Sequence, residues 1–172
     1  MAGGPGPLNG IRFGVLTCSA TRTAANDAGG DVLVAGITAA GGEVATRQIV
    51  PDDRLRIAAV LRGWCERGDC QVVLTTGGTG LGPYDLTPDA TADVAERTIP
   101  GIAEWLRLKG LEQTPFAALS RAQAALCRGV LIVNLPGSPR GARAGLDALL
   151  PILPHAVAVI GGAGHAGPSH LG

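Results

Sequence analysis

The sequence predicts an α/β layered fold around a largely parallel sheet. Three observations carry this expectation. Short apolar runs alternate with longer segments of helical periodicity, the pattern of strands joined by crossover helices. "CQVVLTT" (70–76) is almost continuously apolar, as in a strand covered on both faces. Turn-rich loops follow three of these runs, at 17–30, 75–87 and 134–140, where open α/β sheets place their ligand loops.

The elements follow in order. "IRFGVLTC" (11–18) reads as the first strand. A helix is expected from Asp31, with Leu33, Gly36, Ile37 and Ala40 on one face and Gly41-Gly42 at its end. "EVATRQIV" (43–50) is the second strand, stopped by Pro51. Asp52 is expected to N-cap a helix running to Gly68, with Ile57, Val60, Leu61 and Trp64 on its apolar face and Asp53 as a first-turn acid. After the third strand (70–76), Thr87 is expected to N-cap a helix with Pro88 in its first turn. Pro100-Gly101 interrupts that helix, and "IAEWLRLKG" continues as another. Residues 115–128 fit either a helix or short strands with a turn at Arg128-Gly129. "VLIVNL" (130–135) is a strand, and 141–160 is helical with a break around Pro151 and Pro154.

Composition narrows the function. With 172 residues, one domain with a full hydrophobic core is expected over 1–172, with Gly/Pro-rich flexible ends at 1–9 and 161–172. Fourteen Lys and Arg balance fourteen Asp and Glu, so the basic excess of a duplex-binding protein is missing. Aromatics are only 3% of residues, which argues against stacking platforms for single strands. The four cysteines are dispersed without a C-x-x-C pair and read as small buried thiols rather than a zinc site. The N-terminus has neither a basic n-region nor an apolar h-region, and no apolar run reaches membrane-spanning length. A cytoplasmic protein is expected, with no nucleic-acid or membrane partner.

The segment "TTGGTGLGPYDLTPDA" (75–90) carries the most chemistry. Gly77, Gly78, Gly80 and Gly82 clear side chains from backbone that would face a ligand, and their N–H groups can cradle an anion. Thr75, Thr76 and Thr79 add hydroxyls. The loop matches neither a Walker A motif, since no Lys follows it, nor G-x-G-x-x-G. By itself such a loop fits a tight βα connection equally well. Asp85 shifts the balance, because a carboxylate in a phosphate cradle is repulsive unless a cation such as Mg²⁺ lies between them. Asp52 is the candidate second carboxylate, with helix capping as its other reading. Asp89 fits a complement to the helix dipole. Ser120 and Arg121 of "LSR" also read as ordinary surface groups. Asn134 fits a side chain bonding backbone, and Ser138 either an anion donor or a helix cap.

Taken together, "TTGGTG", "DLTPDA", "LSR" and "NLPGSP", with "VLTCS" and "VPDD" before them, resemble the MogA/MoaB and Cnx1 G-domain family of molybdenum cofactor biosynthesis over roughly residues 10–160. The resemblance implies a three-layer α/β/α fold whose mostly parallel sheet has an antiparallel edge hairpin within 115–135. It implies adenylylation of molybdopterin by Mg-ATP, giving adenylyl-molybdopterin and pyrophosphate. It also implies a homotrimer and a partner protein that inserts molybdenum. Carried over by residue, Asp85 and Asp52 become catalytic and metal-binding positions. Thr76, Gly77, Gly78, Thr79, Gly80, Ser19, Ser120, Asn134, Pro136, Gly137 and Ser138 become pocket positions. Two positions depart from the pattern. Tyr84 stands where the family often has Arg, and Ala20 where it often has Asp. Two alternatives remain open: a non-catalytic molybdopterin-binding carrier, and a CinA-like nucleotide hydrolase.

Overall fold

The computed structural model describes residues 6–163. In chain order its elements are β1 (Arg12–Cys18), α1 (Ala28–Ala39), β2 (Glu43–Val50), α2 (Arg54–Arg67), β3 (Val72–Thr76), α3 (Thr87–Val94), β4 (Arg97–Thr98), α4 (Pro100–Leu111), a 3-10 turn (Pro115–Leu119), β5 (Ala124–Cys127), β6 (Val130–Leu135), α5 (Pro139–Leu149) and α6 (Leu153–Ile160). The six strands form one sheet in the order β2-β1-β3-β6-β5-β4. β2, β1, β3 and β6 run parallel; at one edge β5 pairs antiparallel with β6, and β4 pairs antiparallel with β5. The hairpin expected within 115–135 is therefore present, turning at Arg128-Gly129, where both residues have positive φ (50° and 76°).

Period-2 alternation on the central strands separates two apolar layers. Val72, Leu74, Leu131 and Val133 pack with Leu33, Ile37, Leu146 and Leu149 on the α1–α5 face. Val73 and Ile132 pack with Ile57, Leu61, Trp64 and Val94 on the α2–α3 face. The result is the three-layer α/β/α arrangement. All four cysteines are buried and free, as expected. Among the described residues no single helix is long and apolar enough to cross a membrane.

Several local expectations are corrected. α1 begins at Ala28, because Asp27 accepts from the Gly30 N–H at 3.1 Å and caps the helix before Asp31 is reached. Asp53, not Asp52, caps α2, accepting from the Arg56 N–H at 2.8 Å; Gly68 ends the helix in the left-handed region at φ 66°. Thr87 does not cap α3: its hydroxyl donates to the Gly77 carbonyl at 2.9 Å. The break after α3 falls at Ala95–Ile99, where β4 pairs with β5, and Pro100 opens α4 instead of interrupting a helix. Residues 6–9 are held in place rather than free. Leu8 is fully buried and its N–H donates to the Ala40 carbonyl at 2.9 Å. At the other end, Gly161, Gly162 and Ala163 close α6 by donating to carbonyls of its last turns. The rest of both ends expected to be flexible, residues 1–5 and 164–172, lies outside the described residues.

Candidate functional site

The parallel strands deliver their loops to one end of the sheet. There, the residues after β1, β2, β3 and β6 surround a cleft of about 400 Å³. Ser19, Asp52, Thr76, Gly77, Gly78, Asp85 and Gly137 all line it. The remaining sequence-predicted positions, Thr79, Gly80, Ser120, Asn134, Pro136 and Ser138, line a second, more apolar cavity of about 280 Å³ with Leu106, Phe116 and Ala117. The glycine loop and the Pro136–Ser138 turn contribute to both, so the two cavities share these walls.

The glycine loop owes its course to two positive φ angles, Gly77 at 98° and Gly78 at 65°. A Cβ on Gly77 would collide with the Cys18 carbonyl, and one on Gly78 with the Thr87 hydroxyl. Gly137 lies against the loop from the other side, where an added Cβ would sit 3.0 Å from the Gly77 Cα. The loop is thus clamped between the end of β1, the start of α3 and the 136–138 turn. The Gly77 N–H is spent on the Leu135 carbonyl at 3.1 Å. Among the described residues no protein acceptor meets the N–H groups of Gly78, Thr79 or Gly80. These are the donors an anion cradle needs.

Each carboxylate is oriented by backbone. Asp85 Oδ2 accepts from the Gly82 N–H at 2.8 Å. Asp52 Oδ2 accepts from the Ala20 N–H at 2.9 Å, joining the second strand's turn to the first loop. Both side chains are half-buried. Among the described residues no group of three or more His, Cys, Asp or Glu side chains is arranged to hold a metal. Two carboxylates on one cleft fit Mg²⁺, which takes one or two protein carboxylates and completes its shell with water and phosphate.

The other predicted positions are engaged within the protein. Thr76 donates to the Pro136 carbonyl at 2.8 Å. Asn134 is fully buried; its Nδ2 donates to the Thr75 and Thr91 hydroxyls at 3.0 and 2.9 Å, and its Oδ1 accepts from the Gln123 N–H at 3.1 Å. It braces β3, α3 and the segment before β5 beneath the loop. Ser138 caps α5, accepting from the Gly141 N–H at 3.1 Å. Ser19 accepts from the Thr21 and Arg22 N–H groups, and Ser120 from the Ala122 N–H.

Three residues carry more than the sequence reading assigned. Arg121 forks onto both Asp89 carboxylate oxygens at 2.9 and 2.8 Å and also donates to the Asp85 carbonyl at 3.1 Å. This bidentate clamp ties the Asp85 turn to α3, so neither Arg121 nor Asp89 is an idle surface group. Asp27, only 1% exposed, borders the cleft while accepting from the Thr17 hydroxyl and Arg47. The hydrogen bond to Asp27, more than that to Asp31, raises the Arg47 pKa above its ordinary value. Cys18 also lines the cleft, but burial pushes its thiol up to about 12, so it offers no thiolate nucleophile.

A family model described as "Probable molybdopterin binding domain" matches residues 14–155. The chain belongs to this family. It is 37% identical over 145 residues to the molybdopterin adenylyltransferase of Escherichia coli, covering 81% of this chain and 74% of that protein. It is 39% identical over 158 residues to the molybdenum cofactor synthesis protein cinnamon of Drosophila melanogaster, covering 90% of this chain and 26% of that protein. The chain spans between 26% and 64% of the length of the first three curated relatives it matches. Among solved structures, the molybdopterin biosynthesis enzyme MoaB of Thermus thermophilus superposes with a TM-score of 0.80 at 44% identity, covering 88% of this chain and 97% of that one. The matched span includes the glycine loop and the Pro136–Ser138 turn.

Proposed function

We propose that this chain is a molybdopterin adenylyltransferase, acting as one domain in the cytoplasm and assembled as a homotrimer. The observation that carries the reading is that Asp52, Asp85 and Gly78, whose N–H is open, meet in one cleft, with the open N–H groups of Thr79 and Gly80 following on the wall it shares with the second cavity. The terminal phosphate of molybdopterin attacks the α-phosphorus of ATP; a new P–O bond forms, the bond to the β-phosphate oxygen breaks, and pyrophosphate leaves. The attacking phosphate is already an anion at neutral pH, so no activated Ser, Cys or His is required. The chain's work is positioning and charge stabilisation. The N–H groups of Gly78, Thr79 and Gly80 bind phosphate oxygens. Asp52 and Asp85 would hold Mg²⁺, which when bound neutralises charge on those oxygens. The second cavity gives a flat ring system apolar walls from Leu106 and Phe116.

The deciding experiment is incubation of the protein with molybdopterin, ATP and Mg²⁺, followed by assay of adenylyl-molybdopterin and pyrophosphate. Formation of both products in equal amounts is expected. Tight pterin binding without pyrophosphate release would overturn the enzymatic reading and favour a carrier that hands the pterin to a molybdenum-inserting partner.

A further inference from the structure

The charges around the cleft do not match a polyphosphate ligand. Asp27, Asp52 and Asp85 line it, and Arg22 is the one basic side chain among its lining residues. Three arginines of the surrounding elements already have carboxylate partners. Arg47 pairs with Asp27 and Asp31 at 2.7 Å, Arg54 with Asp93 at 2.7 Å, and Arg121 with Asp89 at 2.8 Å. Arg22 makes no such pair among the described residues. It is exposed, and one guanidinium nitrogen donates to the Asn26 carbonyl at 3.0 Å. That bond sits within a loop already organised by Ser19, which accepts from the Arg22 N–H at 3.3 Å, and by Asn26, which accepts from the Thr23 N–H at 2.6 Å. The loop thus presents a cation while its backbone is fixed by other bonds, and the guanidinium keeps several donors for a second acceptor.

We propose that Arg22 is a phosphate-binding residue of the cleft, gripping the nucleotide's polyphosphate and its pyrophosphate product from the first loop, facing the glycine loop. This rests on the adenylyltransferase reading and adds a binding residue to it. Arg47 is shared between Asp27 and Asp31, and Asp52 and Asp85 add to the acidity of the cleft. Even with one divalent cation between those carboxylates, a polyphosphate needs a further positive group. Arg22 is the side chain on this cleft that meets the requirement, and a guanidinium suits phosphate in geometry as well as charge.

The test is titration of the whole 172-residue chain with Mg²⁺-pyrophosphate and Mg²⁺-ATP at low and high salt. Wild type is compared with Arg22→Ala, Arg22→Lys and, as a control with the same charge change, Arg67→Ala. Arg67 lies at the far end of α2, paired with Asp69. Arg22→Ala is expected to weaken both ligands about tenfold or more at low salt, with the difference narrowing as salt screens the charge. Arg22→Lys, which restores the charge but not the fork, is expected to recover part of the affinity, and Arg67→Ala to bind as wild type does. Binding by Arg22→Ala within about twofold of wild type would overturn the assignment of Arg22 alone. So would an equal loss in Ala and Lys variants together with a lowered melting temperature, which would mean that Arg22 only secures the loop through Asn26. Wild-type protein that binds neither ligand would overturn both this inference and the adenylyltransferase reading.

Discussion

Asp52 and Ala20, thirty-two positions apart, are joined by a 2.9 Å hydrogen bond from the Ala20 N–H to Asp52 Oδ2. The bond closes the first loop onto the turn after β2 and sets the height of the Asp52 carboxylate at the cleft. Asp53, its neighbour, does the capping of α2. Asp52 is thereby free of the helix and available to the site. Asp52→Asn keeps an acceptor for the Ala20 N–H and removes only the charge. The variant is expected to melt as wild type does, with a slower adenylyl transfer that rising Mg²⁺ partly restores. A rate unchanged across a Mg²⁺ titration would remove Asp52 from the metal site.

Asp85 has the larger expected effect. Its Oδ2 accepts from the Gly82 N–H while Arg121 holds its carbonyl, so the turn survives loss of the carboxylate charge. Asp85→Asn is expected to fold and to bind molybdopterin. Its turnover should fall by about 10²–10³-fold, the scale of losing one preorganised electrostatic group. Single-turnover kinetics, read with circular dichroism and a pterin-binding titration, check this. Near wild-type turnover would reduce Asp85 to a turn residue.

Asn134 has a different predicted signature. Its buried amide satisfies the Thr75 and Thr91 hydroxyls and the Gln123 N–H at once. Asn134→Ala leaves the Gln123 N–H and the Thr75 hydroxyl facing a cavity, while the Thr91 hydroxyl keeps its bond to the Thr87 carbonyl, and is expected to cost about 2–4 kcal/mol, because buried polar groups without partners pay their desolvation cost. Urea unfolding measures it directly. A loss of activity with unchanged unfolding free energy would indicate a direct ligand contact instead.

Much of the frame was legible in the sequence because its cues are local. "EVATRQIV" and "VLIVNL" became strands at the expected boundaries, and Gly68 ended its helix in the left-handed region as its position suggested. Where two neighbouring residues compete for one role, local cues fail. Asp52 and Asp53 carry the same carboxylate, and only the direction of the chain leaving β2 decides which meets the helix. Gly29 and Gly30 weaken a helix, yet the Asp27 cap outweighs their low propensity and starts α1 at Ala28, ahead of the expected Asp31. β4, two residues long, carries no periodicity at all and exists through its pairing with β5. The site residues were identifiable as a set. Their division between two cavities was not, since it depends on how Gly137 packs against Gly77.

Gly77 and Gly68 both have positive φ, at 98° and 66°, but their surroundings differ. Nothing lies within 4 Å of a Cβ built on Gly68, whereas one on Gly77 meets the Cys18 carbonyl. Gly68→Ala is therefore expected to cost only the left-handed strain, about 1–2 kcal/mol, with activity retained. Gly77→Ala adds a backbone collision to a comparable strain and must push the loop off β1. Its cost is expected to exceed that of Gly68→Ala by more than about 1 kcal/mol, with ligand binding lost. Equal melting temperatures for the two variants would show that the loop has room the packing does not indicate.

The buried thiols predict how stability responds to alkali. Burial, the largest cause in each case, pushes Cys18 from 9.0 up to about 12 and Cys70 from 9.0 up to about 11, and it raises Cys65 as well. The neutral thiol is favoured in the folded chain, while the unfolded chain releases its protons from about pH 9. Above that pH the unfolded state binds fewer protons than the folded one, so stability falls as pH rises. The contribution is fully present below about pH 9 and is lost as pH climbs through 11 and 12. Urea unfolding at steps from about pH 8 to about pH 10.5 is expected to show a progressive drop beginning near the upper half of that range. Cys70→Ala removes one titrating thiol and should flatten the slope. Iodoacetamide at the lower pH should label native protein far more slowly than urea-unfolded protein, since the thiolate is the reactive form. A stability profile that stays level to the top of the range, or equal labelling rates in the two states, would contradict the burial of these thiols.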